Sequence, residues 1–359
     1  MYKNLAAAYK GKRVFVTGHT GFKGSWLVKV LHLLGAEVTG YSLAPVHEDA
    51  LFDLLEGEQL CHSIMGDIRD RELLVASVKE ARPDFIFHLA AQPLVRESYE
   101  SPSETFEVNV VGSANLLDAV RALDKPVHVI MITTDKVYAN NEWSYPYREN
   151  DRLGGYDPYS ASKACAELVI DSYRNSFFHL SRYAEHVKSV AAVRAGNVIG
   201  GGDWARDRLI PDIARALLFG KEIEVRNPHS VRPWQHVLEP LGGYLLLGER
   251  MTRDPLRFSQ AYNFGPSGDD ALPVESIVKI AIDCWGRGKY TARPVEGAPH
   301  EAGLLKLDIN KAMSEIGWRP RFTAAKAVDW TMNWYKQYHD DKESIASFTQ
   351  SQIVDFFND

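Results

Sequence analysis

Cysteine is scarce in this chain of 359 residues. The three cysteines, Cys61, Cys165 and Cys284, lie far apart, and none falls in a C-x-x-C pair or at a spacing that metal ligands use. A sparse, odd set of this kind is typical of reduced thiols in a cytosolic protein and argues against a disulfide framework. We therefore expect a cytoplasmic protein, and because the histidines also form no ligand spacing, we predict no metal site.

An excess of positive charge and long apolar runs are also absent. The net charge is −6, and no block rich in Lys and Arg occurs, which argues against a nucleic-acid partner. No segment approaches the ~20 apolar residues that span a bilayer, and the first residues, MYKNLAAAYKGKR, lack the apolar core of a signal peptide. We expect no membrane partner, and an anionic ligand must be held by local positive groups.

Short apolar segments alternate with amphipathic helical patterns through the first half of the chain. The predicted strands are at residues 13–17, 37–43, 62–67, 84–91, 128–134 and 190–194. This alternation predicts an α/β fold, a Rossmann-type doubly wound parallel sheet with a smaller C-terminal substrate-binding region. After Arg194 the alternation degrades into segments rich in Gly and Pro. We predict a dinucleotide-binding domain over residues 1–195 and a substrate region over 196–340 interleaved with the sheet. Residues 341–359 are predicted to form a C-terminal tail, a polar segment that ends in a short amphipathic helix.

A glycine-rich turn, TGHTGFKG, joins the first strand to the first helix and contains Gly18, Gly21 and Gly24. In such a turn one glycine makes the tight bend, one lets the backbone approach a pyrophosphate, and one lets the helix lie close to the strand. The helix then directs its free N–H groups and positive dipole end at the phosphates. In this strand–turn–helix context the spacing predicts a dinucleotide-binding loop.

The choice between NAD and NADP is open at this point. An acidic residue for the adenosine ribose is expected ~20 residues after the loop, but the stretch from Tyr41 to Ala44 contains neither an acid nor an arginine for a 2′-phosphate. The missing cation favours NAD. Asp67, after the third strand, either contacts the adenine or begins the next helix.

Tyr159 and Lys163 lie four residues apart on one predicted helical face, so that their side chains are neighbours. A cation beside a phenol lowers the tyrosine pKa, which would make Tyr159 a base for a hydroxyl proton while hydride leaves the same carbon. Alone, Y-x-x-x-K is common by chance, and a surface pair without function would be favoured. Together with the glycine loop, the spacing becomes specific.

The fifth predicted strand ends in ITTDKVY and brings Thr134, Asp135 and Lys136 to the carboxyl edge of the sheet. Ligands bind at that edge in open α/β folds. The hydroxyl can orient a substrate, whereas the acid and the amine supply proton-transfer groups beyond those that hydride transfer requires. The alternative for Asp135 is a carboxylate that only caps the loop.

The glycine loop, the strand end HLAAQ, the TTDK segment and the Tyr159–Lys163 pair resemble the extended short-chain dehydrogenases that act on nucleotide sugars. From about Lys12 to Trp318 the chain is most similar to the CDP-glucose 4,6-dehydratases. That resemblance implies a redox-neutral conversion of CDP-D-glucose to CDP-4-keto-6-deoxy-D-glucose with NAD. Tyr159 with Lys163 would act on the 4-hydroxyl, Asp135 would protonate the departing 6-hydroxyl, and Thr134 would hold the sugar. Related dehydratases carry glutamate as the carbon-5 base where this chain has Lys136, so the identity of that base is open.

The resemblance also implies contacts to cofactor and substrate. Two arginines suit a diphosphate, because a guanidinium binds phosphate in a bidentate manner. The implied substrate-binding residues are Asn197, Arg208, Leu209, Arg232, Asn263 and His300. The implied cofactor contacts beyond the three glycines are His19, Thr20, Phe22, Asp67, Ile68, Leu89, Ala90, Ala91, Tyr159 and Lys163. Relatives pair through a four-helix bundle, which predicts self-association through the helices near residues 102–122 and 159–177.

Three alternatives stay open. A nucleotide-sugar 4-epimerase shares the fold, NAD and the tyrosine–lysine pair, but needs no acid for a leaving hydroxyl, so Asp135 argues against it. A 4,6-dehydratase acting on another sugar nucleotide fits the same residues. A non-enzymatic dinucleotide-binding module would require the catalytic residues to coincide by accident. Because His19 stands where relatives often have glycine, Lys23 is at an aliphatic position and the ribose acid is missing, we expect weaker NAD retention than in the dTDP-sugar dehydratases.

Overall fold

The computed structural model describes residues 2–268, 270–293 and 304–358. Its strands are β1 (Arg13–Thr17), β2 (Glu37–Ser42), β3 (His62–Met65), β4 (Phe85–His88), β5 (Val127–Ile132), β6 (Lys188–Ala195), β7 (Val198–Ile199), β8 (Ile223–Val225), β9 (Val231–Arg232), β10 (Gln235–His236), β11 (Ala261–Phe264), β12 (Leu272–Pro273) and β13 (Tyr290–Ala292). Its α-helices are α1 (Tyr2–Tyr9), α2 (Phe22–Leu33), α3 (Leu51–Leu54), α4 (Gly57–Leu60), α5 (Arg71–Ala81), α6 (Val95–Glu100), α7 (Pro102–Phe106), α8 (Gly112–Arg121), α9 (Pro158–Ser176), α10 (Tyr183–His186), α11 (Leu209–Leu218), α12 (Leu238–Arg253), α13 (Pro255–Phe258), α14 (Val274–Trp285), α15 (Ala324–Asp340) and α16 (Ile345–Asn358).

Seven parallel strands form the central sheet in the order β11-β6-β5-β4-β1-β2-β3. The sequence order reverses at β1, which pairs with β2 on one side and with β4 on the other. In open α/β sheets this reversal leaves a crevice beyond the carboxyl ends of the strands, where ligands bind. Buried side chains on both faces of the sheet fall into two hydrophobic clusters, as expected when helices cover both faces. The predicted doubly wound α/β fold is confirmed.

The strand at the β6 edge of the sheet, β11, was not predicted. Ala261–Phe264 pairs in parallel with Ala192–Ala195, although its four residues lie beside a segment rich in Gly and Pro. A strand this short has too few residues to establish a two-residue period. This strand lies within residues 196–340 and forms one edge of the sheet.

The long helix predicted near residues 102–122 is interrupted by a π-helical turn. Residues Glu107–Val111 form the π-helical turn between α7 and α8. Such turns are rare and often lie at functional sites, because they shift side chains relative to a regular helix. Asn109, inside the turn, is buried and directed toward α9, as described below.

Residues after 340 are part of the core, whereas the sequence suggested a polar tail. The α16 side chains of Ile353 and Phe357 are buried in the larger of the two hydrophobic clusters. Residues from 1–195, 196–340 and 341–359 all contribute to this cluster. Trp334 of α15 donates its indole N–H to the Thr349 hydroxyl of α16 at 2.8 Å. The apolar positions of α16 recur at helical spacing, so this helix buries one face against α15.

Replacing Phe357 by alanine is therefore expected to lower the free energy of unfolding by about 3–5 kcal/mol, because it removes a fully buried aromatic side chain. Denaturant titration would measure the change. Phe348→Ala on the same helix is the control, since that side chain is only partly buried and should cost clearly less. Equal losses for the two variants would show that α16 does not pack as described.

No helix within residues 2–268, 270–293 and 304–358 is both long and apolar enough to cross a membrane. The same ranges contain no cluster of three or more His, Cys, Asp or Glu side chains placed to hold a metal ion. The three cysteines are free thiols and are partly buried.

Candidate active site

The three glycines of the loop between β1 and α2 have separate roles. Gly18 has a φ of +73°, and a Cβ there would lie 2.7 Å from the Ala90 nitrogen after β4. A Cβ on Gly24 would lie 2.0 Å from the Gly18 carbonyl oxygen, so glycine lets α2 pack closely on the loop. Gly21 precedes α2 as its capping residue, and a Cβ there would make only one contact, at 3.4 Å. The loop therefore leaves its outer surface and the helix N–H groups open, which fits a pyrophosphate.

The two polar residues of the loop hold it to the neighbouring strands. His19 is fully buried, donates to or accepts from the Ser63 hydroxyl at 2.8 Å through Nε2, and burial lowers its pKa to about 4. Its side chain is thus a neutral packing group beneath the loop, and only its backbone is available to a cofactor. The Thr20 hydroxyl lies 2.9 Å from the Ser42 hydroxyl at the end of β2, where the ribose acid was expected.

Asp67 does not begin a helix, which removes one of its two predicted roles. Its carboxylate accepts hydrogen bonds from the Arg69 side chain, the shortest at 2.6 Å. The residue that caps α5 is Asp70, which accepts the Leu73 N–H at 3.0 Å. A contact between Asp67 and adenine stays a prediction.

The other residues predicted to contact the cofactor lie near the crevice. Ile68 is buried against Gly112, where a Cβ would lie 2.6 Å from its side chain. Leu89, Ala90 and Ala91 follow β4 directly, and the Ala90 N–H donates to the Thr17 hydroxyl at 3.2 Å. Phe22 opens α2.

The structure brings the predicted catalytic residues together at the carboxyl end of β5. Asp157 caps α9 by accepting the Ser160 N–H at 2.9 Å, and Tyr159 and Lys163 follow on the first two turns, both buried. The Lys163 ammonium donates to the Ile132 carbonyl at the end of β5, at 3.2 Å. The Tyr159 phenol lies near the Thr134 hydroxyl, which acts to lower the pKa of the phenol.

Thr134, Asp135 and Lys136, together called the catalytic turn, lie where β5 ends and a short 3₁₀-helix begins. The Thr134 hydroxyl donates to the Asp135 carboxylate at 3.0 Å. Asp135 is buried, and Gly196 makes room for it, since a Cβ there would lie 1.8 Å from Asp135 Oδ2. Lys136 is half-buried beside it. The Asp135 carboxyl is therefore held close enough to the Tyr159 phenol to influence its pKa.

Burial sets the ionisation of the tyrosine–lysine pair. It raises the pKa of Tyr159 to about 12, while the Thr134 hydrogen bond and the Arg208 charge act in the opposite direction. Burial also lowers the pKa of Lys163 to about 8, against the opposing charge of Glu167. The Lys163 ammonium donates to the Ile132 carbonyl, and that it lowers the Tyr159 pKa stays a prediction.

Lys23 belongs to the site, although the sequence showed it only as an unusual residue in the glycine loop. It lies in the first turn of α2. Burial lowers its pKa to about 8, with further lowering by Arg208 and Lys163 and an opposing effect of Asp135. These electrostatic neighbours place a further cation beside the catalytic acid. A lysine at a normally aliphatic position of the loop is the sequence signal for it.

A buried chain of hydrogen bonds behind Tyr159 was missed entirely. From the π-helical turn, the Asn109 amide donates to the Ser162 hydroxyl at 2.8 Å. Ser162 in turn donates to the Tyr159 carbonyl at 2.7 Å. The position of Asn109 depends on the π-helical turn, for which the sequence pattern gives no sign. These hydrogen bonds connect the first turn of α9 to the π-helical turn.

The predicted substrate residues are only partly gathered at this site. Arg208 lies near enough to Tyr159 for their charges to interact, and it donates to Asp203 at 3.0 Å. Leu209 follows it at the start of α11. Asn197 follows β6 with a φ of +47°, and Arg232 is in β9. His300 lies outside the described residues.

The structure contradicts a substrate contact from Asn263. Its side chain is completely buried in β11. Its amide donates to the Tyr147 carbonyl at 3.0 Å and the Asp308 carbonyl at 3.1 Å, and its oxygen accepts from Tyr138 at 2.7 Å. Asn263 therefore joins separate backbone segments and presents no polar atom to a ligand.

Comparisons with known proteins agree with this geometry. The family model described as GDP-mannose 4,6 dehydratase matches residues 15–331. A CDP-glucose 4,6-dehydratase of Salmonella typhimurium is 49% identical over 350 residues, covering 98% of this chain and 97% of that protein. A dTDP-glucose 4,6-dehydratase of Streptomyces antibioticus is 30% identical over 335 residues, covering 90% of this chain and 92% of that protein. The solved structure of a dTDP-glucose 4,6-dehydratase from Streptomyces venezuelae, with NAD bound, aligns with a TM-score of 0.75 at 26% identity and covers 91% of this chain and 98% of that one.

Fold, loop and tyrosine–lysine pair together define an enzyme of the extended short-chain dehydrogenase/reductase class. Within that class the chain belongs to the GDP-mannose 4,6-dehydratase family. The resemblance stated from the sequence is thereby confirmed.

Proposed function

We propose that this protein is an NAD-dependent 4,6-dehydratase that converts CDP-D-glucose to CDP-4-keto-6-deoxy-D-glucose. The observation that carries the proposal is Asp135, a buried carboxyl that is hydrogen-bonded to Thr134 and near enough to Tyr159 to influence its pKa. An acid next to the oxidising base is needed for loss of a hydroxyl and not for oxidation alone. The choice of CDP-glucose is supported by the 49% identity with the dehydratase of Salmonella typhimurium.

The glycine loop fits NAD. Its open outer surface at Gly21 and the N–H groups at the start of α2 would hold the pyrophosphate, and the end of β4 would lie beside the dinucleotide. When bound, NAD supplies an acceptor that takes a hydride from the sugar and later returns it, so that the overall reaction is redox-neutral.

The residues of the chain move the protons. Tyr159 removes the proton of the 4-hydroxyl, and Thr134 bonds the same sugar oxygen and the phenol. Once carbon 4 is a ketone, the proton on carbon 5 is acidic and passes to Lys136 or to water. Asp135 protonates the 6-hydroxyl, which leaves as water, and a carbon–carbon double bond forms between carbons 5 and 6. The group that took the carbon-5 proton then returns a proton to that carbon.

Incubation with CDP-glucose and NAD tests the proposal. The expected product is a 4-keto-6-deoxy sugar, which absorbs strongly in the near ultraviolet after addition of base. Mass spectrometry should show the loss of one water. A 4-epimer without any keto product would instead establish an epimerase, and product from dTDP-glucose or GDP-mannose but not CDP-glucose would place the enzyme with another sugar nucleotide.

The proposal includes a cytoplasmic location, which the free cysteines favour, and self-association through α7–α8 and α9. Large apolar side chains are exposed on this surface, with Val111 50% and Leu168 59% accessible. Exposed apolar side chains on adjoining helices are typical of a protein interface. Leu168→Glu is expected to reduce the molar mass measured by light scattering. Leu256→Glu, at a leucine on α13 that is 47% accessible, should leave it unchanged, and loss of assembly in both variants would argue against this interface.

A further inference from the structure

A buried ion pair joins α9 to β6 directly behind the catalytic residues. Glu167 lies one helical turn after Lys163. Its carboxylate accepts hydrogen bonds from Arg194 Nε at 2.9 Å and from Arg194 Nη2 at 3.0 Å. The two side chains are only 1% and 3% exposed. A bidentate contact of this kind fixes orientation as well as distance.

The same ion pair holds both ends of the catalytic turn. On the side before the turn, the Thr133 hydroxyl donates to the Glu167 carboxylate at 2.5 Å. On the side after the turn, Arg194 Nη1 donates to the Tyr138 hydroxyl at 2.8 Å. The Tyr138 hydroxyl in turn donates a hydrogen bond to the Asn263 oxygen at 2.7 Å, in the edge strand β11 of the sheet. The residues that flank the turn are therefore tied to one pair, which is itself part of α9.

Stability alone does not account for this arrangement. Burial of two charges costs much of what their attraction returns, and apolar residues of similar volume often replace such a pair without loss. The pair is also satisfied almost completely, since Arg194 donates in addition to the Glu149 carbonyl at 2.9 Å. A network with this many directed contacts restricts geometry more than it adds free energy.

We propose that Glu167 and Arg194 are positioning residues that keep the catalytic turn in register with Tyr159 and Lys163. The inference rests on the proposed function, in which Tyr159 acts at carbon 4 while the turn acts at carbons 5 and 6. One bound sugar must meet both groups, so the turn and α9 need a fixed separation. The pair supplies it, because it contacts α9 directly and the turn from both sides.

Glu167→Gln is the test, because it keeps the side-chain shape and removes the charge. kcat for dehydration is expected to fall about 100-fold, which a displacement of about 1 Å can cause, while KM for CDP-glucose stays near the wild-type value. Some 4-keto sugar that still carries its 6-hydroxyl should be released, since oxidation at Tyr159 can proceed while the displaced turn no longer supports elimination. Glu167→Asp should restore part of kcat. Without any ligand, amide hydrogen exchange should become faster in residues 133–139.

Glu249→Gln is the matched control, since Glu249 is equally buried and pairs with Arg253 on α12, away from the site. It should leave kcat and the exchange of residues 133–139 unchanged. Wild-type turnover in Glu167→Gln, or exchange that rises throughout the molecule, would overturn the inference.

A second variant and a measurement that does not depend on turnover complete the test. If Glu167→Gln does not fold, Tyr138→Phe removes the contact of Arg194 after the turn together with the hydrogen bond to Asn263. A smaller loss of kcat with faster exchange near the turn is then expected, and unchanged kcat would count against the inference. If the wild-type protein fails to turn over CDP-glucose, the proposed function fails. The positioning role is then judged by exchange, and equal exchange in Glu167→Gln and Glu249→Gln would refute it.

Discussion

Tyr159→Phe is expected to lower turnover by about 10²–10⁴-fold, the usual contribution of a general base. The phenol lies near the Thr134 hydroxyl at the end of β5. Since only the phenol hydroxyl is removed, the fold should persist, with a loss of stability of no more than about 1.5 kcal/mol. Steady-state kinetics and denaturant titration measure the two effects.

The dependence on pH gives the same variant a second measurement. Because burial raises the Tyr159 pKa to about 12, the reactive phenolate is scarce at neutral pH. The value of kcat/KM should therefore rise as the pH is increased from neutral. The increase should flatten above about 8, where Lys163 loses its proton. Phenylalanine cannot ionise, so the rise should vanish in the variant.

Tyr244→Phe is the control for this prediction. Tyr244 is completely buried, and its hydroxyl has no hydrogen-bond partner among the described residues. Its replacement should change neither turnover nor the pH profile. If Tyr159→Phe retained the wild-type rate, Tyr159 would not be the base.

Asp135→Asn is expected to stop the reaction after oxidation. Asparagine has the same shape but cannot give up a proton, so loss of the 6-hydroxyl should slow by about 10²–10⁴-fold. Tyr159 is intact in this variant, and the near-ultraviolet absorbance of reduced nicotinamide should accumulate when CDP-glucose is added. Stopped-flow absorbance and mass spectrometry of the released sugar would show the block.

Asp84→Asn provides the comparison, because Asp84 precedes β4 and pairs with Lys125 at 2.6 Å, at the opposite edge of the sheet. That variant should dehydrate CDP-glucose at the wild-type rate. A rapid dehydration by Asp135→Asn, without accumulated absorbance, would assign the acid to another group.

The sequence was sufficient to predict most of the sheet and the residues of the catalytic turn at its carboxyl edge. Six of the seven strands were visible because each is a short apolar segment beside a turn or helix signal. Tyr159, Lys163 and the catalytic turn were found for a similar reason: their spacing and their position after a strand carry the information. Helix α16 was visible only as an amphipathic pattern, since its burial depends on what it packs against.

Contacts between distant segments were beyond the sequence. Asn263 lies in a segment that the sequence placed in the substrate pocket. Its amide, however, donates to the backbone carbonyl of Tyr147, which is more than a hundred residues away in the sequence. The Tyr159 pKa depends on burial and on where the Lys163 ammonium points, and neither follows from a spacing of four residues. The π-helical turn that positions Asn109 likewise has no pattern of its own.

The last helix is connected to Arg208, which we predict to bind the substrate, through a short series of contacts. Trp334, bonded to Thr349 of α16, packs against Gly201, where a Cβ would lie 1.9 Å from the indole. Next to it, the Tyr335 hydroxyl donates to the Asp203 carbonyl at 2.5 Å, and the Asp203 side chain holds Arg208. A chimera that exchanged the C-terminal helices between related dehydratases is thus expected to change the position of Arg208 as well. Crossover points for recombining these enzymes should keep α15 and α16 with the segment that contains Arg208.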